Sequence, residues 1–247
     1  MHLSDDTLIH YLLARNVLPE EAAMSGTLRV IDRSSRNRNR RIQWEGAGVF
    51  VKQVRDPGPQ FEETLRRDAT CYWLVRDNPD FLALRDFVPR LRGFDSALHV
   101  LVIEDLEGFE SLSTIGQRES SSLSVERAAE LGEFLAVCHT RAGRSLMQDA
   151  ANPWFAKRMP WVLTIPETPR HELAFPSRGA MALSDHVSTH RFFREMLGDL
   201  RRQWQVVAFI HGDMKWDNVL VRVSAASPSA VSIRITDWEL ARYFEII

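Results

Sequence analysis

Two cysteines, Cys71 and Cys138, are all that the 247 residues contain. Both fall in segments with helical spacing. A reduced, cytoplasmic protein is therefore expected rather than a disulfide scaffold. Long apolar runs are missing too. None reaches the roughly 20 residues of a membrane-spanning helix. The N-terminus carries Asp5 and Asp6 and lacks the apolar run of a secretory signal. Charge of one sign is equally scarce, since 31 Lys and Arg against 33 Asp and Glu leave a net charge of −2. That balance gives no global argument for a nucleic-acid partner or an anionic membrane, and neither is expected. No internal repeat is visible. What remains is an ordinary globular composition, 45% apolar and 26% charged, in a chain long enough for one or two domains.

The densest chemistry lies in Phe209-Ile-His211-Gly-Asp213-Met-Lys215-Trp-Asp-Asn218-Val-Leu-Val221. An apolar run enters a polar cluster, and a second apolar run leaves it. Asp213 and Asn218 fall at the two ends of one tight loop. Such a loop can turn both side chains into one cleft, which a straight strand cannot do. Val219–Val223 and Val231–Ile235 read as two strands around the turn-forming Ser224–Ala230. A hairpin there returns Asp237, in Ile235-Thr-Asp237-Trp-Glu239, to the end that carries Asn218. Phosphoryl transfer requires a carboxylate to orient the attacking hydroxyl, oxygen ligands for magnesium, and a cation beside the transferred phosphate. These two stretches hold all three. Any one of these Asp residues, taken alone, is equally a cap or a turn residue; the joint spacing is what points to chemistry.

His211-Gly-Asp213 with Asn218, followed by Asp237-Trp-Glu239, resembles the catalytic loop and metal motif of the aminoglycoside phosphotransferase and choline kinase superfamily. The resemblance implies a two-lobed α+β protein-kinase-like fold, with an antiparallel-sheet small lobe and a mainly helical large lobe. It implies ATP and Mg2+ as cofactors. Asp213 resembles the catalytic base, Asn218 and Asp237 the magnesium ligands, and Lys215 a lysine placed against the γ-phosphate. Gly212 stands where many protein kinases carry an arginine that answers activation-loop phosphorylation, which implies a kinase without that switch. His211 is expected to prop the loop by hydrogen bonds.

The preceding sequence fits a small lobe over residues 1–103, a hinge at 104–107 and a large lobe over 108–247. Ser4 with Asp5 and Asp6 predicts a helix start, and Asn16 a stop. Thr27–Asp32, Arg41–Trp44 and Val49–Val54 read as strands, with Glu45–Gly48 as a turn. Between the first two lies Arg33–Arg40, which has no glycine where protein kinases place a glycine-rich phosphate loop. Ser34, Ser35 and Asn37 offer hydroxyl and amide donors for nucleotide phosphate there, and a solvated turn or a nucleic-acid patch are the other readings. Alternation sets Phe50, Lys52 and Val54 on one strand face. Lys52 resembles the small-lobe lysine of the α- and β-phosphates, against the plain alternative of an amphipathic surface lysine. Leu65, Asp68, Tyr72 and Val75 share a helical stripe, so Asp68 is expected to pair with Lys52, with Glu62 and Glu63 as competitors. Relatives usually place Glu there. Leu98–Leu106 resembles the strand into the hinge, where Glu104 and nearby backbone would meet adenine.

Ser124 is expected to cap a helix through Thr140 with Ala128, Leu131, Leu135 and Cys138 inward. Arg141–Met181 reads as a lid, an acceptor-binding insert or local core. Ser184-Asp185 is expected to open a helix packed beneath the catalytic loop, with Phe193, Met196, Leu197, Leu200 and Trp204 on its stripe. Only Leu240–Ile247 follow Glu239, where relatives continue with further helices. A truncated sequence, a naturally short form and a partner chain covering the surface all fit. The expected acceptor is a hydroxyl of an aminoglycoside-like compound or amino alcohol. The small-lobe pattern also resembles kinases that phosphorylate Ser or Thr of a precursor peptide. A pseudokinase serving as a binding subunit is the alternative of another class. The missing glycine loop, Asp68 and the short C-terminus favour it, and the intact Lys52, Asp213, Asn218 and Asp237 oppose it.

Overall fold

The computed structural model describes residues 2–34, 37–56, 58–118, 124–142, 155, 159, 161–168, 177–204, 208–223 and 231–244. Helix α1 (Asp5–Ala14) starts at Ser4, whose hydroxyl accepts from Thr7 N at 3.3 Å. Asn16 follows its end in a left-handed conformation at φ 54°. After the short α2 (Glu20–Met24) come β1 (Arg29–Asp32), β2 (Arg38–Trp44) and β3 (Ala47–Gln53). Beyond α3 (Pro59–Asp77) lie β4 (Leu91–Asp95) and β5 (Val100–Glu104). The five strands form one antiparallel sheet in the order β1-β2-β3-β5-β4. β2 begins three residues before its sequence-based start, because Arg38, Asn39 and Arg40 pair with Gln53, Lys52 and Val51.

The sheet has an apolar core on each side, since strand side chains alternate. Val49 and Val51 of β3 and Val100 and Val102 of β5 pack with Leu8 and Leu12 of α1. On the other face Leu101 and Ile103 pack with Leu65, Ala69 and Tyr72 of α3, with Phe50 beside them. This second core runs on into the large lobe through Phe81, Phe209 and Trp238. The Phe209 ring stacks on Trp238 with centroids 6.0 Å apart.

The large lobe opens with β6 (Glu110–Ser111) and α4 (Leu112–Arg118). Helix α5 (Val125–Val137) is capped by the Ser124 hydroxyl and widens into a π-helical turn over Cys138–Ala142. Ala128 is exposed rather than inward, and Phe134 takes the buried position. Its ring fills the space between Phe87 and Trp238, which a methyl group could not. Much of the expected insert lies outside the described residues; α6 (Trp161–Thr164) belongs to it.

The helix expected from Ser184 is two helices. α7 (Arg178–Thr189) starts earlier, because the Ser177 hydroxyl accepts from Ala180 N, so Ser184 is buried inside it. His190 breaks the run with extended backbone at ψ 121°, and α8 (Arg191–Gln203) follows. α8 packs mainly on α6 and α7, not under the catalytic loop, so Leu197 is buried while Met196 is exposed. Last come β7 (Ala208–Ile210), β8 (Val219–Val223), β9 (Val231–Ile235) and β10 (Arg242–Phe244). β8 lies between β6 and β9, and β7 pairs with β10. No described helix is long and apolar enough to cross a membrane.

Candidate active site

A cleft of about 570 Å³ opens between the five-stranded sheet and the β8–β9 hairpin. Lys52 enters it from β3 with only 8% of its side chain exposed. Its ammonium donates to Asp68 Oδ2 at 2.7 Å and to Asp237 Oδ1 at 3.0 Å. Burial opposes the charge, but the two carboxylates outweigh it and hold the Lys52 pKa above the ordinary lysine value. Asp68 reaches this point from the buried stripe of α3. Its other oxygen, Oδ1, accepts from Trp238 N at 2.9 Å. One carboxylate therefore ties together β3, α3 and the turn that carries Asp237. The competing carboxylates are turned elsewhere: Glu63 pairs with Arg67, and Glu62 lies 3.5 Å from His99.

Asp237 is in the left-handed region, φ 69° and ψ 58°. For a residue with a Cβ this costs on the order of 1–3 kcal/mol. The bonds from Lys52 to its side chain and from the next amide to Asp68 offset that cost. The β8–β9 pairing sets Asp237 against Asn218. Val219 stands opposite Ile235, and Thr236 N donates to Asn218 O at 3.1 Å.

The loop between β7 and β8 holds the remaining groups. Asp213 Oδ2 accepts from Lys215 Nζ at 2.6 Å and from Asn218 Nδ2 at 3.2 Å. Asn218 Nδ2 also donates to Asp213 O at 2.9 Å. The hydrogen bond that Lys215 donates to the Asp213 carboxylate raises the Lys215 pKa. His211 props this loop from behind. Its Nδ1 accepts from Asp213 N at 3.3 Å, so Nε2 carries the proton and donates to Thr236 O at 2.9 Å. Burial lowers the His211 pKa to about 4, which keeps the ring neutral at physiological pH.

Gly212 sits at φ 81°, and a Cβ there would stand 2.1 Å from the carbonyl oxygen of Leu240. No side chain fits, so the absence of an arginine has a local steric cause beside the one drawn from its sequence position. Gly212→Ala is expected to lower stability in urea unfolding by more than the roughly 1–2 kcal/mol of the left-handed backbone alone. A loss under about 1 kcal/mol would show that the Leu240 backbone yields freely.

The donor set suits magnesium. Asn218 is engaged through its amide nitrogen and keeps an amide oxygen, and Asp237 adds carboxylate oxygen. These are hard ligands, and magnesium is commonly held by one or two such groups with phosphate oxygens and water completing the octahedron. Among the described residues no three His, Cys, Asp or Glu side chains gather as a metal cage.

The other sequence candidates divide. Asn37 and Glu104 line the cleft, and Glu104 Oε2 also accepts from Arg90 N at 3.1 Å. Ser34 does not line it. Its hydroxyl accepts from Asn39 N and Arg40 Nη1, closing the β1–β2 turn on itself. Ser35 lies outside the described residues. Sequence reasoning missed Asn39 and Arg41, which face the cleft, and Asp105, which holds Arg41. Starting β2 at Arg41 hid the alternation Asn37, Asn39, Arg41 that marks the cleft side.

A comparison with curated proteins returns no match. Solved structures with a similar fold include choline kinase LicA from Streptococcus pneumoniae, with TM-score 0.53 and 16% identity over 91% of this chain and 69% of that one. Plasmodium vivax ethanolamine kinase gives 0.55 and 12% identity over 98% and 65%. A thermostable mutant of aminoglycoside phosphotransferase APH(4)-Ia, solved with ADP and hygromycin B, gives 0.58 and 12% over 96% and 72%. At such identities the likeness is one of fold, two-lobed and kinase-like. The chain spans about two thirds of the length of these relatives. The model of the phosphotransferase enzyme family matches residues 27–243, which takes in β1, the whole cleft and most of β10. By that match the chain belongs to the phosphotransferase enzyme family.

Proposed function

We propose that the protein transfers the γ-phosphoryl group of ATP to a hydroxyl of a small molecule, aminoglycoside-like or an amino alcohol. The observation that carries this reading is the Lys52 bridge between Asp68 and Asp237, at a cleft that Lys215 and Asn218 also line, with Asp213 bonded to both of them. In this reading Lys52 holds the α- and β-phosphates and Asp68 holds Lys52. Glu104 and the backbone of the hinge at 104–107 meet the adenine, between lobes at 1–103 and 108–247. Asn218 and Asp237 would hold magnesium, which would supply neutralisation of phosphate charge. Asp213 accepts a hydrogen bond from the acceptor hydroxyl and takes its proton as the oxygen attacks phosphorus. The bond between the γ-phosphorus and the β,γ-bridging oxygen breaks, and ADP departs with the electron pair. Lys215, which donates to Asp213, balances charge on the moving phosphoryl group in this reading. Relatives of the same fold are named for choline, ethanolamine and an aminoglycoside, which supports a hydroxylated amine as acceptor. The buried, unbridged Cys71 and Cys138 accord with a reduced, cytoplasmic setting.

The test is ADP release from Mg-ATP with separate pools of aminoglycosides, amino alcohols and Ser- or Thr-containing peptides. Release that requires one of the first two pools is expected. Release only with peptides would move the acceptor to a precursor peptide. No release with any pool, together with no Mg-ATP binding, would leave a binding subunit as the better reading.

A further inference from the structure

The roof of the cleft presents side chains where a glycine-rich loop would present backbone. Asn39 and Arg41 of β2 face the cleft, opposite Lys52 and Phe50 of β3. Arg41 is held in place. Its Nε donates to Asp105 Oδ1 at 2.7 Å, while Gln43 Nε2 donates to Asp105 Oδ2 at 3.1 Å. Asp105 is fixed in turn, with a side chain only 5% exposed and an amide that donates to Gly48 O at 3.1 Å. Gly48 permits this approach, since a Cβ there would stand 2.9 Å from the Asp105 Cβ. A guanidinium bound through Nε to a buried carboxylate has little freedom left in its plane.

Its place along the cleft decides what it meets. Lys52, Asn218 and Asp237 mark the phosphate end. Arg41 stands one side-chain repeat nearer the hinge, where Phe50, Ile103, Leu106, Phe109 and Leu220 make the walls apolar. Asp105 already balances its charge, which weakens its pull on phosphate. An apolar slot closed by a fixed, planar cation suits the face of an electron-rich ring.

We infer that Arg41, locked by Asp105, is a binding residue for the purine base of the nucleotide, with its guanidinium stacked on the ring. This rests on the nucleotide reading given above. The test compares Mg-ATP with Mg-tripolyphosphate by calorimetric titration on the wild type, Arg41→Ala, Arg41→Lys and the double variant R41M/D105N. Arg41→Ala is expected to weaken ATP binding by about fivefold to thirtyfold and to leave tripolyphosphate unchanged. Lysine does not restore the loss, because it has no plane to stack. The double variant removes both charges, leaves none buried unpaired, and shows the same selective loss at a normal unfolding midpoint. Unchanged ATP affinity in both Arg41→Ala and the double variant overturns the inference. An equal loss for ATP and tripolyphosphate also overturns it, by assigning Arg41 to phosphate. A wild type that binds neither ligand overturns the nucleotide reading itself, and this inference with it.

Discussion

Asp213→Asn is expected to lower acceptor-dependent ADP release by about 10²–10⁴-fold while leaving Mg-ATP binding unchanged. Asparagine keeps the size of the side chain and an oxygen for Lys215 and Asn218, the two donors to Asp213 Oδ2. The loop is therefore retained, and His211 still props it through the Asp213 amide. What is lost is the capacity to take a proton. The separation of rate from affinity is the informative part. A fall in both would mean that the loop had moved. Equal turnover would remove Asp213 from the role of base.

Lys52→Met is expected to cost about 3–5 kcal/mol of stability and to abolish measurable Mg-ATP binding. The stability loss arises from what stays behind. Asp68 is 1% exposed, and without Lys52 it is a buried charge whose one remaining bond is the Trp238 amide. Replacing Lys52 by Met and Asp68 by Leu together removes both buried charges and recovers part of the loss. Recovery is incomplete, since the Trp238 amide then lacks its acceptor, at a cost of about 1–3 kcal/mol. Urea unfolding of the two single variants and the double variant measures this coupling. Strict additivity would show that the pair is not energetically linked. Asp68→Glu is a useful companion, because the longer side chain cannot keep both the 2.7 Å bond to Lys52 and the 2.9 Å bond to Trp238 unless α3 shifts.

The contacts of the cleft were legible wherever a local pattern determined them. Alternation along Val49–Val54 put Lys52 beside Phe50, and the three-and-four spacing of α3 put Asp68 inward, which singled it out once the resemblance implied a helix carboxylate for that lysine. The β8–β9 hairpin returned Asp237 to Asn218 for the same kind of reason. The double duty of Asp68 was not legible. Its bond to Trp238 N joins residues far apart in sequence, and no periodicity encodes that. Ala128 and Ser184 were misplaced for different reasons. The bulky Phe134 ring packs against Trp238 while Ala128 stays exposed, and the Ser177 cap, a local signal overlooked, started α7 before Ser184. Gly212 was legible as a departure from the kinase pattern, but its steric cause lies in Leu240, on the far side of the β8–β9 hairpin.

The most direct measurement is calorimetric titration of ATP with and without magnesium, on the wild type and on Asp237→Asn. In the structure Asp237 and Asn218 stand beside Lys52 in one cleft. The account predicts that magnesium strengthens ATP binding to the wild type. It also predicts that Asp237→Asn, which surrenders a charged ligand, loses most of that gain. Equal ATP affinity with and without magnesium in the wild type would contradict the account, because the carboxamide and carboxylate would then have no metal–phosphate unit to hold.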